Sequence, residues 1–360
     1  MGNDRHTLPL DIIRYILLDA IDGDRATAAI LSRMCKTVNL WIVPVLYSTV
    51  IVTISDLKSF ERTLLASKDR AEPVGKHNAT HLLKRPLGAY VRHLWIGSKG
   101  THHTSRPPWR TIDPVEHAEE ASSMVLKATI TIVSLCPNLR ALAIAHYPSS
   151  IMRQLVPCIA ETLESLSFCP GTGHLTSLDL ADMSHCHSLR DVTFLQTELT
   201  DGTLSRLLRM PSVQHITCIY NNVPHTIGLL PALRPVQRDR LKRSFQAAMA
   251  QLHLVGECAS PAFRRMKVIY LSCDNSTVRE INELQRFMGV HGPPGPRDKR
   301  IVLSAIDGRN NLDRFVSFKG YGGPYTINYV NDTKYWLDEW IASLDPAWPG
   351  RGCVPHTVTQ

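Results

Sequence analysis

Long apolar runs are missing from this chain. No stretch reaches the roughly 18 uncharged apolar residues that a membrane-spanning helix needs, and the nearest candidate, residues 40–54, is shorter and interrupted by Pro44. Asp11 and Arg14 break the first apolar stretch, so no secretory signal is predicted. The nine cysteines are an odd number and form no Cys-x-x-Cys pair, which indicates reduced thiols rather than a disulfide framework. These absences predict a protein of the cytoplasm or the nucleus.

Motifs that signal an enzyme are lacking as well. The chain has no glycine-rich phosphate loop, no Gly-x-Ser-x-Gly turn and no His-Glu-x-x-His helix. His185 and His187 flank Cys186, but no second pair of ligands follows at the spacing that zinc needs. We therefore expect no catalytic residues, no metal site and no cofactor. An enzyme assembled from residues far apart in the sequence stays a third alternative.

What the chain does contain is a pattern that returns. Apolar residues fill the first, fourth and sixth places of segments that begin at positions 139, 163, 189 and 213, which are 24, 26 and 24 residues apart. Similar segments begin at Val91 and Met266. Because the fourth and sixth residues are two apart, they would lie on the same side of a strand and enter a core. A fixed period of this size predicts a solenoid of stacked units.

Two copies match a known repeat more closely. The segments that begin at Leu189 and Val213 also fill the ninth and eleventh places of the leucine-rich-repeat template, with Thr197 in place of its Asn or Cys. We therefore predict an α/β fold in which residues 91–330 form an irregular leucine-rich-repeat domain. Residues 114–135 and 237–255 are predicted to be long inserted helices. The alternative is a set of unrelated strands in an α/β domain.

The C-terminal end of the chain differs from the predicted array. Residues 331–345 have the apolar spacing of a helix, which we expect to cap the array, and residues 346–360 are a tail.

The net charge of +8 favours acidic partners slightly. Its densest part, residues 234–243, carries no alternating aromatic residues, so nucleic acid is not an expected partner. No membrane partner and no small-molecule cofactor are expected either.

The N-terminal segment is organised differently. Leu8-Pro9-x-Asp11-Ile12-Ile13-x-x-Ile16-Leu17 begins a helix with a broad apolar face, because Pro9 suits the first helical turn. Residues 26–31 and 36–41 are predicted to be two further short helices, with Met34-Cys35-Lys36-x-Val38-Asn39-x-Trp41 at the third. A strand over residues 48–54 and a helix over residues 56–67 are predicted to follow.

These motifs resemble the F-box, and the segment from Pro44 to Val50 resembles its exit in F-box-like proteins abundant in mushroom-forming fungi. The resemblance implies a three-helix F-box-like module over residues 7–54, followed by a linker helix and entry segment over residues 55–90. It also implies docking on a Skp-type adaptor through a shared set of side chains: Leu8, Pro9, Ile12, Ile13, Ile16, Leu17, Met34 and Cys35. The alternative is that these helices only cover the end of the array.

The repeats themselves would bind the second partner. The third and fifth places of each unit would face the concave side of a solenoid, where large aromatic side chains make good anchors. The predicted partner-binding residues are His93, Trp95, Asp191, Thr193, His215, Thr217 and Tyr270. The alternative is that an insertion or the C-terminal tail fills this groove. The function implied is a substrate receptor of a cullin-based ubiquitin ligase that holds an unidentified protein; the alternative is an interaction scaffold with no ligase role.

Overall fold

The computed structural model describes residues 8–21, 24–70, 85–97, 116–148, 151–159, 161–172, 183–195, 201–221, 254–255, 257–273, 300–307, 337, 340–341 and 343–344. Helices in these ranges are α1 (Leu10–Ala20), α2 (Arg25–Leu31), α3 (Lys36–Leu46), α4 (Leu57–Arg70), α5 (Glu116–Ser134), α6 (Ile151–Leu155) and α7 (Asp201–Arg209). Short 3-10 helices cover Leu87–Tyr90, Val156–Cys158 and Met183–His185. The strands are β1 (Thr49–Val52), β2 (His93–Ile96), β3 (Ala141–Pro148), β4 (Ser165–Thr172), β5 (Asp191–Leu195), β6 (His215–Asn221), β7 (Arg265–Cys273) and β8 (Ile301–Asp307).

The strands form one eight-stranded sheet in the order β1 to β8. Every strand pairs in parallel with the next one along the chain. The register therefore aligns equivalent residues in rows across the sheet. One such row runs through His93, Ala141, Ser165, Asp191, His215 and Arg265.

The first face of the sheet covers a continuous apolar core, the main core. Leu142 and Ile144 of β3 are two residues apart and are both fully buried in it, as the recurring pattern predicts. The equivalent buried residues in the next three strands are Leu166, Phe168, Val192, Phe194, Ile216 and Cys218. Helices close this side, because Leu57 and Leu64 of α4, Ile132 of α5 and Leu204 of α7 belong to the same core.

The second face of the sheet is also covered, but by a smaller group that we call the second-face cluster. It consists of Trp95, Ala141, Ala143, Ala145, Cys169, Leu195, Ile219, Ile269, Leu337 and Trp340. The Trp340 ring packs on Trp95 with 5.5 Å between centroids and a tilt of 56°. The small side chains of Ala143 and Ala145 leave space on this face for the Trp340 indole. Both faces of β2 and β3 are therefore largely buried, as is usual for parallel sheets.

The predicted architecture of a three-helix F-box-like module, an irregular leucine-rich-repeat solenoid and a C-terminal capping helix was wrong. The structure has a single all-parallel sheet with helices, an α/β fold. The recurring pattern was misleading because any strand with a buried face places apolar residues two apart, whatever connects the strands. The connections differ widely in length: β5 and β6 are separated by residues 196–214, and β6 and β7 by residues 222–264. Leu337 and Trp340 cover a face of the sheet instead of capping its end.

The N-terminal helices join the edge of this sheet. They enclose a small core of Ile21, Ala28, Val38 and Ile42. α3 continues past Pro44 to Leu46 and leads directly into β1. The Arg25 guanidinium donates a hydrogen bond of 2.8 Å to the Thr49 carbonyl of β1. α1 to α3 are thus attached to the edge of the α/β fold, which explains why no separate module is seen.

Several local predictions can be compared with these elements. The strand at residues 48–54 and the helices at residues 56–67 and 114–135 are confirmed as β1, α4 and α5. β8 was not predicted. Most of the predicted helix at residues 237–255 lies outside the described residues, and the C-terminal helix is described only at residues 337, 340–341 and 343–344. No helix in the described ranges is long and apolar enough to cross a membrane.

Candidate protein-binding surfaces

Exposed apolar side chains gather on the N-terminal helices, on what we call the N-terminal apolar surface. It comprises Leu8, Leu10, Ile12, Tyr15, Ile16, Ile30 and Met34. Tyr15 is 71% exposed and Met34 is 66% exposed, although scattered single exposures are more usual on a protein surface. Such concentrations of apolar side chains mark interaction sites.

Helix α1 explains most of this surface. Its sequence, LDIIRYILLDA, is apolar around most of its circumference, yet none of its 11 residues is buried. Leu17 and Leu18 pack against the small core formed with α3. Ile12 and Ile16 are one helical turn apart and face outward, at 48% and 50% exposure. A helix that is apolar all round is normally buried on every side, so α1 has more apolar surface than the described part of the chain covers.

Helix α2 is held in place by a cap at its start. The Asp24 carboxylate accepts hydrogen bonds from the backbone N–H groups of Ala26 and Thr27 at 2.9 and 3.1 Å. The Thr27 hydroxyl donates to the same carboxylate at 2.6 Å. Chiefly through this hydroxyl, the pKa of Asp24 lies below its usual value. The cap satisfies backbone N–H groups at the start of α2. Ile30, near the other end of this helix, is exposed.

The predicted adaptor-binding residues divide into two groups. Leu8, Pro9, Ile12, Ile16, Met34 and Cys35 are exposed. Ile13 is half-buried, and Leu17 packs on the small core and supports the helix from within. The prediction missed Leu10, Tyr15 and Ile30. Tyr15 could have been found, because it lies three residues after Ile12 and therefore beside it on a helix.

The predicted partner-binding residues do not form an open apolar groove. Trp95 is fully buried beneath Trp340, so it is not accessible as an anchor. The C-terminal segment thus fills this part of the face, which was the alternative considered from the sequence. The side chain of Tyr270 lies outside the described residues. The register nevertheless corrects its assignment, because Lys267 and not Tyr270 pairs with Thr217.

The remaining predicted residues line a polar strip on the second face. Asp191 and His215 lie side by side on β5 and β6, with the Asp191 Oδ1 atom 2.7 Å from the His215 Nδ1 atom. Thr193 and Thr217 pair with each other two residues further along the same strands and are half-buried. His93 is also half-buried, and its Nδ1 atom lies 2.9 Å from the Thr49 hydroxyl. This strip offers hydrogen-bonding groups at the surface.

Metal-ligating and thiol groups were the remaining candidates for chemistry in the described residues. They contain no group of three or more His, Cys, Asp or Glu side chains that could hold a metal ion. Burial raises the pKa of the Cys136 thiol to about 12 and, together with the nearby Glu161, that of Cys186 to about 11. Both thiols are therefore protonated near neutral pH and lack the thiolate that acts as a nucleophile.

No model of a known protein family matches this chain, and no curated protein matches it in sequence.

Proposed function

We propose that this protein is a substrate receptor of a cullin-based ubiquitin ligase, in which the N-terminal apolar surface docks on a Skp-type adaptor. Two features support the proposal. The sequence of this segment resembles the F-box, and six of the eight side chains that the resemblance assigns to adaptor binding are exposed. The observation that carries most weight is α1, which is largely apolar but buries none of its residues within this chain.

The second partner would be the protein that is to be modified. It would contact the α/β fold away from α1, where Asp191, His215, Thr193 and Thr217 present polar groups on the sheet. In this arrangement the chain needs no catalytic residue of its own, because it only brings two proteins together. Ubiquitin transfer would be carried out by the other ligase components.

Docking should depend on Ile12 and Ile16. Complete burial of an Ile side chain contributes about 1.5–3 kcal/mol, and both are already half-buried in this chain. Truncating both to alanine should therefore remove about 2 kcal/mol of binding free energy, which corresponds to an affinity about thirty-fold weaker. Because the two side chains face solvent in the free protein, its stability should change by less than about 0.5 kcal/mol.

The test is co-purification with the Skp-type adaptor from the same organism. Wild type should retain the adaptor, and Ile12→Ala/Ile16→Ala should lose it. The control is Leu65→Ala/Met124→Ala, which removes two exposed apolar side chains from α4 and α5 and should retain the adaptor. If wild-type protein fails to bind the adaptor, the ligase proposal is refuted. A protein-interaction scaffold without a ligase role would then be the better explanation.

A further inference from the structure

A second surface lies at the edge where the strands of the sheet begin. The residue just before each strand from β2 to β7 occupies an equivalent position, and most of these residues are basic. In strand order they are Arg92, Arg140, Glu164, Arg190, Gln214 and Arg264, which we call the basic row. Its four arginines are exposed, and Arg265 follows Arg264 at the same edge.

Backbone hydrogen bonds hold the basic row in line. The carbonyl of Arg92 accepts from the N–H groups of Arg140 at 2.7 Å and Ala141 at 3.0 Å. The carbonyls of Arg140, Glu164, Arg190 and Gln214 each accept two N–H groups of the next segment in the same way. These carbonyls already accept two bonds each, so they are poorly placed to pair with an added strand. A partner at this edge would be recognised mainly through side chains.

Few carboxylates neutralise this row. Glu164 lies 3.7 Å from Arg140, and Asp191 faces His215 at 2.7 Å. Within the part of the chain that the structure describes, no carboxylate lies within 4.0 Å of the guanidinium groups of Arg92, Arg190 or Arg264. Several like charges fixed along one edge create a positive potential that attracts acidic groups. Lys267, which is half-buried two residues after Arg265 on β7, adds to this positive potential.

We propose that the basic row binds an extended acidic segment of a partner protein. Adjacent strands are about 4.8 Å apart, so the five steps from β2 to β7 span about 24 Å. An extended segment of about seven residues covers this distance. Ser165, which follows Glu164 at the start of β4 and is half-buried, adds a hydroxyl group next to the row. This inference is independent of the ligase proposal, because α1 contributes nothing to the basic row.

A protein segment fits this surface better than a nucleic acid. Binding of single-stranded nucleic acid combines a basic groove with aromatic side chains that stack on the bases. Among the side chains that the structure describes, the one exposed aromatic is Tyr15 on α1, which does not belong to the basic row. Glu164 and Asp191 would also repel a continuous line of phosphates, whereas an acidic peptide can place neutral residues opposite them.

The test measures binding of a fluorescent ten-residue glutamate peptide to the full chain by anisotropy. Wild type should bind, and binding should weaken as salt is raised, because exposed charges are screened. Arg190→Glu/Arg264→Glu turns two attractions into repulsions and should weaken binding about ten-fold or more. The control, Arg62→Glu/Lys127→Glu, makes the same change in net charge on the exposed surfaces of α4 and α5 and should bind within about two-fold of wild type.

The proposal would be overturned if wild type did not bind the peptide, or if the control variant lost as much affinity as Arg190→Glu/Arg264→Glu. It would also be overturned if wild type bound a ten-residue oligothymidylate more tightly than the peptide and Arg190→Glu/Arg264→Glu abolished that binding. The last result would identify a nucleic-acid site. Thermal unfolding checks that each variant is folded. If the Arg190→Glu/Arg264→Glu variant does not fold, Arg190→Gln/Arg264→Gln replaces it. This variant should weaken peptide binding at least three-fold, and unchanged binding would refute the proposal. Loss of adaptor binding in Ile12→Ala/Ile16→Ala leaves this outcome unaffected.

Discussion

Replacing Trp340 with alanine should uncover the second face of the sheet. The Trp340 side chain is 3% exposed and packs on Trp95, with 5.5 Å between ring centroids. Truncation of a buried Trp to Ala costs about 3–5 kcal/mol. The Trp340 indole N–H has no hydrogen-bond partner among the described residues, and a buried donor without a partner costs about 1–3 kcal/mol. Because that penalty disappears with the ring, we expect a net loss of about 1–3 kcal/mol.

A second substitution separates the two contributions. Trp340→Phe keeps an aromatic ring over Trp95 and removes the unpaired N–H group. Its free energy of unfolding should therefore lie within about 1 kcal/mol of wild type, since the smaller ring loses contact area while the unsatisfied donor is removed. A loss well above about 1 kcal/mol in Trp340→Phe would contradict the absence of a partner for the N–H group.

The assay is urea unfolding followed by circular dichroism, with tryptophan emission recorded in parallel. The emission of Trp340→Ala should lie at longer wavelength than that of Trp340→Phe, which lacks the same indole, because water reaches the Trp95 ring in the alanine variant. Met124→Ala, at an exposed position on α5, is the control and should change stability by less than about 0.5 kcal/mol. If Trp340→Ala is as stable as this control, Trp340 does not cover the sheet and the explanation given for the buried Trp95 is wrong.

One substitution and one labelling experiment test the packing of α5 and the state of the thiols. Gly88→Ala should lower the free energy of unfolding by about 1–3 kcal/mol, because a Cβ atom there collides with the carbonyl oxygen of Leu135, just after α5. Thermal unfolding measures the loss, with Ala89→Ser as the control. Equal stability of the two variants would contradict the collision. Cys35 is exposed, whereas burial raises the pKa of Cys136 to about 12. At pH 8, maleimide labelling followed by mass spectrometry should modify Cys35 and leave Cys136 unlabelled until the protein is unfolded; labelling of both at equal rates in the folded protein would show that Cys136 is accessible.

The strands in the middle of the sheet could be predicted from the sequence. At β3 to β6, the apolar residues at the fourth and sixth places of each segment are all buried in the main core. This success has a simple cause. A strand with one buried face must place apolar residues two apart, so the local pattern reports the geometry directly.

The segment that forms β7 shows where this approach fails. Met266 was taken as the first residue of its unit, but the register pairs Met266 with Ile216 and therefore makes it the fourth. The sequence allowed both choices, because Met266, Val268, Ile269 and Leu271 supply apolar residues at either spacing. Hydrogen bonds to β6 decide the register, and they join residues about 50 positions apart. The same error placed Tyr270 in the predicted binding row.

The candidate binding surfaces were only partly predictable. The resemblance of the N-terminal segment to the F-box singled out Ile12 and Ile16, which are exposed. It could not separate them from Leu17, which supports the small core, because all three are apolar residues of one helix. The basic row was missed altogether, since Arg92, Arg140, Arg190 and Arg264 are far apart in the sequence and become neighbours through the pairing of their strands.

The sequence by itself determined the local properties of this protein: where strands run, which side of each enters a core, and which helix carries surplus apolar residues. These properties depend on neighbours within a few positions, which the order of amino acids specifies. The tertiary structure alone decided that the strands form one parallel sheet with an apolar cluster on each face, that Trp340 covers Trp95, and that distant arginines form one row. Those outcomes depend on contacts between segments far apart in the chain, and no local pattern specifies which segments meet.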